Sequence, residues 1–174
     1  EYEGLPAKLA DPAWRPDYGP AAFQARSGAT VIGARDFLVA YNVNLNTQST
    51  RRAFAVAYDV REQGRLKREG HPLTGPVLRD EAGREVWEPG RLKGVKAVGW
   101  FIPEYGVAQV SMNITDLRAT ALHEAFEACR DAARSRGMRA TGSELVGLVP
   151  LGVLLDAGYF YLRRQNRSLG IPED

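Results

Sequence analysis

The residues in this chain best placed to do chemistry are uncharged. Asn42, Asn44 and Asn46 occupy every second position of the stretch that ends at Thr47, and Gln109, Ser111 and Asn113 repeat the spacing in Val107 to Thr115. A carboxamide offers both donors and acceptors without a charge. Rows of them therefore suit a polar heteroaromatic ligand, whose ring edges alternate donors and acceptors. A plain solvent-facing strand more often carries Lys, Glu and Thr, because Asn is a poor strand former. The amides need a reason, and two are open: a bound ligand, or a neighbouring domain that hydrogen-bonds the same groups. Arg26 or Arg35, on either side of the glycine-bearing turn Gly28 to Gly33, could take a carboxylate.

Other chemistries lack their parts. There is no Gly-rich phosphate loop, no Ser-His-Asp grouping and no Cys pair. The Gly28 to Gly33 turn precedes a strand pattern, whereas the dinucleotide fingerprint precedes a helix. His71 lies beside Pro72 in a polar loop with no second ligand at metal spacing, so no metal is expected. His123 stands one position off an apolar helical stripe, as a boundary histidine or a proton relay. Cys129 lies on that stripe and reads as a core thiol, because a reactive cysteine needs exposure and a cationic neighbour.

The chain has 174 residues, 44% hydrophobic and 25% charged, which is ordinary for one globular domain. With 23 Lys and Arg against 21 Asp and Glu, its net charge of +2 sets up no field for nucleic acid or an anionic membrane. One cysteine rules out an internal disulfide framework and fits a reducing compartment, so a cytoplasmic location is expected. No apolar run approaches the ~18 residues of a membrane span. The chain opens on Glu1-Tyr2-Glu3-Gly4 without an initiator Met, and reads as a piece of something longer.

The elements that must position the amides can be read in order. Glu1 to Leu9 could finish a helix; Pro6, Pro12, Pro16 and Pro20 then hold the chain extended, and Trp14, Tyr18 and Phe23 imply that this segment packs on something. Phe37, Val39, Tyr41, Val43 and Leu45 form one face of a first strand. Ser49-Thr50 caps a helix through about Gly64 with Ala53, Val56, Ala57 and Val60 inward. Residues 65 to 90 read as an inserted surface excursion with a hairpin near Asp80 to Gly83. Strands Lys93 to Ile102 and Val107 to Thr115 flank the turn Pro103 to Gly106, and in the second Ala108, Val110, Met112 and Ile114 share the face opposite the amides. Asp116 caps a helix to about Gly137 with Leu122, Phe126, Cys129 and Ala133 inward. Arg139 to Val149 is a last strand, and Leu151 to about Arg164 a last helix with Leu151, Leu154, Leu155 and Tyr159 inward. The tail, Asn166 to Asp174, is polar and frayed.

This order predicts an α/β (α+β) fold: a ferredoxin-like split β-α-β sandwich, a mixed sheet with helices on one face and the other face open. Binding of RNA on that open face is disfavoured, since stacked aromatics and a basic surround are lacking.

Six blocks carry a resemblance: GARDFLVAYNVNL (33 to 45), REQGR (61 to 65), GRLKGVKAVGW (90 to 100), AQVSMNITD (108 to 116), TALHEAFE (120 to 127) and GSELVGLVPL (142 to 151). Together they resemble the glutamate formimidoyltransferase family, folate-dependent enzymes of histidine breakdown. The resemblance implies two α/β subdomains facing each other across a tunnel that holds tetrahydrofolate, the co-substrate. Residues 1 to 36 would be the end of the first subdomain and the linker, and residues 37 to 174 the second subdomain. The family's folate-binding segment matches Gly19, Pro20, Ala21, Ala22, Phe23, Gln24, Ala25, Arg26, Ser27 and Gly28. Its catalytic histidine belongs to a part with no counterpart here, and neither His71 nor His123 matches it.

The implied reaction moves the formimino group of N-formimino-L-glutamate to N5 of tetrahydrofolate. On this reading Asn42, Asn44, Gln109 and Asn113 contact the pterin or the formimino donor, and the partners are both substrates, the missing N-terminal subdomain and a second copy in a homodimer. Nucleic acid and membrane are not expected. The alternative is a folate-binding or dimerising half-module, inactive without its other half.

Overall fold

Side-chain alternation in one strand sets the centre of the fold. In β1 (Val39–Leu45), Val39, Tyr41, Val43 and Leu45 are all buried. They meet Ala108, Val110, Met112 and Ile114 of a neighbouring strand, as period-two patterning requires of a sheet with one covered face. The computed structural model of the chain describes residues 4 to 71 and 74 to 165. Expectations for Glu1 to Glu3, Pro72 and the tail from Asn166 lie outside the described residues.

The chain divides into two units, Glu1–Arg35 and Asp36–Asp174. The first holds a short helix α1 (Leu5–Ala10) and a 3-10 turn, Pro12–Trp14, whose Ala13 N–H donates to the Asp11 side chain at 2.9 Å. The Lys8 ammonium lies 4.6 Å from the Trp14 ring centre. The expected packing of the aromatics is not seen: Trp14, Tyr18 and Phe23 are all exposed. So few residues in regular structure give a segment of this length no core of its own to bury them in.

The second unit runs β1, α2 (Thr50–Val60), β2 (Arg65–Leu66), β3 (Trp87–Glu88), β4 (Val95–Ile102), β5 (Val107–Ile114), α3 (Leu122–Ser135), β6 (Ala140–Val146), α4 (Leu151–Arg164). The main sheet has the order β4-β5-β1-β6, and every neighbouring pair is antiparallel. The expected mixed sheet is thus corrected. Strands β1 and β4, linked through α2, run the same way, as do β5 and β6, linked through α3. The hairpin places β5 between β4 and β1, so no two like-directed strands become neighbours.

Helices α2 and α3 cover one face of this sheet and enclose the core. The α2 stripe of Ala53, Val56, Ala57 and Val60 is buried as its spacing predicts, and the Ser49 hydroxyl caps it by accepting from Arg52 N–H at 3.3 Å. Contact with β4 is close enough to require glycine. A Cβ at Gly99 would stand 2.2 Å from Phe54 N and 2.5 Å from the Ala53 carbonyl carbon. Arg136, beyond the end of α3, donates to both oxygens of Asp59 on α2, at 2.6 and 2.8 Å, tying the two helices together.

Several boundaries differ from the sequence expectations. Strand β1 starts at Val39, leaving Phe37 83% exposed, and α2 ends at Val60. Strands β4 and β6 are likewise shorter than read. Helix α3 begins at Leu122, not at Asp116, because Asp116 caps a separate turn through Arg118 and Ala119 N–H. The Thr120 hydroxyl then donates to Lys93 O at 2.7 Å and redirects the chain, and Glu124 accepts from Ala121 N–H to open the helix. Phe126 is only partly buried, packed against the core. In α4 three of the four residues expected to face inward do not: Leu151, Leu154 and Leu155 are exposed, while Tyr159 is half-buried. The helix docks on α3 instead of the sheet, through Phe160 stacked on His123 at 4.3 Å and Tyr161 against Phe126. Val153 and Ala157 join that inward side. The excursion at residues 65 to 90 forms a small two-stranded sheet, β2 with β3, whose tip is held by Asp80 accepting from Ala82 and Arg84 N–H.

An alanine at an interior strand glycine ordinarily stabilises by roughly 0.5–1 kcal/mol. Gly99→Ala is expected to do the reverse, costing about 1–3 kcal/mol as α2 is pushed off the sheet. Urea unfolding of the variant measures this, and a gain in stability would refute the close approach.

Candidate functional site

On the face of the sheet away from α2 and α3, register assembles the amides into rows. Trp100 of β4, Gln109 of β5, Asn44 of β1 and Gly142 of β6 lie side by side. Val98, Ser111, Asn42 and Glu144 form the next row, and Lys96, Asn113, Ala40 and Val146 the third. The third row aligns because the irregularity in β6 falls beyond Asn44, where Leu45 pairs with Ala140 and Thr141 is skipped.

The first two rows are joined by side-chain hydrogen bonds. Trp100 Nε1–H donates to Gln109 Oε1 at 3.1 Å. Gln109 Nε2 donates to Asn44 Oδ1 at 2.5 Å and to Glu144 Oε1 at 3.1 Å, and Asn42 Nδ2 donates to the same Glu144 oxygen at 2.9 Å. An indole is only a donor and a carboxylate only an acceptor, so they dictate which way the amides between them point. Gln109 is 0% exposed and spends its whole amide inside the network, as a polar group buried so completely must. Asn42 is buried and Asn44 half-buried.

Of the sequence-expected residues, Asn42, Asn44 and Gln109 are thus brought together. Asn113 shares their face but is exposed, one row beyond the linked groups. The segment Gly19 to Gly28 belongs to the first unit, exposed along its length, and turns at Gly28 (φ 63) with Gly28 N–H donating to Gln24 O at 2.8 Å. Arg26 and Arg35 are exposed.

Two members of the network went unread in the sequence. Glu144 sits in the strand pattern Gly142, Glu144, Val146, and Trp100 in Lys96, Val98, Trp100. Alternation assigns each to a face, but nothing local says that β6 lies beside β1 with Glu144 opposite Asn42. Trp100 also gives the open face one aromatic, 46% exposed, with its N–H engaged by Gln109. Hydrogen bonds from Asn42, and next from Gln109, hold the Glu144 carboxyl below its ordinary range, against the opposing cost of burial. Among the described residues, no cation pairs with it.

The remaining candidates lie elsewhere. His123 is on the helical side, half-buried on Phe160, and its Nδ1 has no hydrogen-bond partner among the described residues. Cys129 is buried in the core, which pushes its thiol up to about 12 and leaves it unreactive. His71 is exposed in the 65 to 90 excursion. Among the described residues there is no group of His, Cys, Asp or Glu that could hold a metal ion, and no helix is long and apolar enough to cross a membrane.

Comparison with known proteins gives two family matches. The profile described as Formiminotransferase domain matches residues 40 to 174, and that described as Formiminotransferase domain, N-terminal subdomain matches residues 1 to 35. A formimidoyltransferase-cyclodeaminase of Sus scrofa is 47% identical over 171 residues, 97% of this chain and 28% of its own length. One of Dictyostelium discoideum is 45% identical over 166 residues, 95% of this chain and 27% of its own. A glutamate formimidoyltransferase of Thermoplasma acidophilum is 34% identical over 163 residues, 94% of this chain and 45% of its own. The chain therefore spans about a quarter of the first two relatives and a little under half of the third.

The hydrogen bonds on Glu144 predict a measurable titration. Its carboxyl should titrate below the 4.5 ordinary for glutamate, and Asn42→Ala should move it back up. Because the folded value is the depressed one, the associated stability is present above the unfolded value and is lost as pH falls through the folded one. Carboxyl-carbon NMR titration reads both forms, and a wild-type midpoint at or above 4.5 would contradict the network.

Proposed function

The chain belongs to the formiminotransferase domain family, and from that premise we propose that it is part of a glutamate formimidoyltransferase, supplying one wall of the folate site. The observation that carries this is the linked amide face, which offers neutral donors and acceptors on a sheet surface that the chain's own helices leave uncovered. Residues 1 to 36 are the end of the N-terminal subdomain and the linker, and residues 37 to 174 the C-terminal subdomain. The β4-β5-β1-β6 order supports reading the latter as a ferredoxin-like split β-α-β sandwich.

The reaction proposed for the whole protein transfers the formimino group from N-formimino-L-glutamate to N5 of tetrahydrofolate, in the cytoplasm, as a step of histidine degradation. N5 attacks the formimino carbon, a C–N bond forms, and the bond from that carbon to the glutamate nitrogen breaks as this nitrogen takes a proton. The products are 5-formiminotetrahydrofolate and glutamate. A general acid and base are required, and the histidine for that role lies outside this chain. This chain contributes binding and orientation. Gly19 to Gly28 form a folate-binding segment; Asn42, Asn44 and Asn113 face the ligands, and Gln109 holds the other amides in place. The working assembly includes the N-terminal subdomain and a second copy in a homodimer.

The limited span relative to the family supports a second reading, a folate-binding half-module that is inactive alone. Mixing tests both readings. The chain alone and the chain combined with the N-terminal half of the Thermoplasma acidophilum relative are assayed for formimino transfer and, by calorimetry, for tetrahydrofolate binding. Turnover by the mixture but not by the chain alone is expected. Turnover by the isolated chain would exclude the half-module reading, and a mixture that neither turns over nor binds tetrahydrofolate would reject the proposed function. In the active mixture, Asn42→Leu with Asn44→Leu is expected to lower kcat/KM about tenfold, as two lost hydrogen bonds imply. Unchanged kinetics for both substrates would remove the amides from the site.

A further inference from the structure

The amide network leaves specific atoms unspent, and they are not randomly placed. Glu144 Oε1 is saturated by Asn42 and Gln109, so the carboxylate is held by one oxygen. Its other oxygen, Oε2, has no hydrogen-bond partner among the described residues. Asn44 accepts through Oδ1, which turns its Nδ2 donor away from Gln109. Asn42 donates through Nδ2, which leaves its Oδ1 as an acceptor. The open face therefore presents an oriented carboxylate oxygen with an amide donor and an amide acceptor nearby.

The neighbours of Glu144 differ from those of the paired acids. Asp59, Glu127 and Asp131 each meet arginine. Glu144 meets only amides, on a face flanked by Val98 and Trp100 on one side and Val146 on the other. Beside it the row ends in Gly142. A Cβ there would have only Asn44 Nδ2 within 4 Å, at 3.8 Å, so the backbone leaves a notch in front of Asn44 without any packing need for it. An ionised carboxylate with neutral, oriented neighbours and a cleared approach is suited to N–H donors on a planar ligand.

We propose that Glu144, with Asn44 beside it and the Gly142 notch in front, is a recognition site for an N–C–N unit that carries N–H donors. Two sources share that chemistry: the 2-amino-pyrimidinone edge of the reduced pterin and the formamidine of the formimino donor. The assignment rests on the function proposed above and deepens it by naming a ligand-orienting residue and the grouping it reads. Glu144 takes no part in bond making; it holds one partner by its N–H edge while the apolar flank bounds a planar ring.

The test uses the chain combined with the N-terminal half of a relative, and calorimetry with three probes: tetrahydrofolate, its 2-desamino analogue and N-formimino-L-glutamate. Glu144→Leu removes the acceptor, Glu144→Gln keeps one, and Gly142→Val fills the notch at a position where the fold has room. If the pterin edge is the source, Glu144→Leu weakens tetrahydrofolate about tenfold or more and the 2-desamino analogue by a smaller factor, because that ligand lacks the 2-amino donor and keeps only N3–H. If the formamidine is the source, tetrahydrofolate is unchanged and N-formimino-L-glutamate weakens by a similar factor. In either case Glu144→Gln should retain more affinity than Glu144→Leu, and Gly142→Val should weaken the same ligand without lowering Tm.

Unchanged affinities in Glu144→Leu would overturn the site. So would an equal loss for all three probes accompanied by a lower Tm, which is the signature of a purely structural network. A wild-type mixture that transfers formimino groups while Glu144→Leu behaves like wild type refutes this site alone. A wild-type mixture that binds none of the probes refutes the proposed function and the site with it.

Discussion

The structure depends on one constraint: a four-stranded sheet has two faces, and the helices packed on it cover one. Strand β1 lies inside this sheet with β5 on one side and β6 on the other, so its alternation is imposed on both neighbours. Everything apolar on the odd positions of β1 is matched by Ala108, Val110, Met112 and Ile114, and sealed by α2 and α3. A slip of one residue would turn Asn42 and Asn44 into this core and the valines out of it. Burial on one face thereby holds the amides in register on the other.

That coupling explains why the open face is ordered. Gln109 is fully buried although it points away from the hydrophobic core, and a buried amide left unpaired costs about 1–3 kcal/mol. Trp100, Asn44 and Glu144 meet its needs, and in doing so they stop rotating freely. Side chains fixed by their neighbours lose less entropy when a ligand arrives. A rigid polar floor is what a positioning surface requires, and it is compatible with a general acid and base supplied from elsewhere.

Much of the fold was legible because it follows from local pattern. The α2 stripe, the β5 alternation, the turn at residues 103 to 106 and the core position of Cys129 all come from spacing at 3.6 or 2 residues, and the structure agrees with each. The misread elements are those where tertiary contacts overrode a plausible local signal. Asp116 is a good cap, and it caps, but the turn it holds is broken from the helix by Thr120 reaching back to Lys93. The leucines of α4 form a credible inward stripe, yet the helix meets α3 through Val153, Ala157, Phe160 and Tyr161.

The sequence by itself determined which residues could share a face: Asn42 with Asn44, Gln109 with Asn113, Gly142 with Glu144. It did so because side chains of a strand alternate whatever lies alongside. Only the tertiary structure decided which faces meet. Strand order, antiparallel sense and the skipped Thr141 set Glu144 opposite Asn42 and within reach of Gln109, partners 102 and 35 residues away in sequence. Pairings over such separations are selected by burying one continuous core, and no local run of residues encodes them.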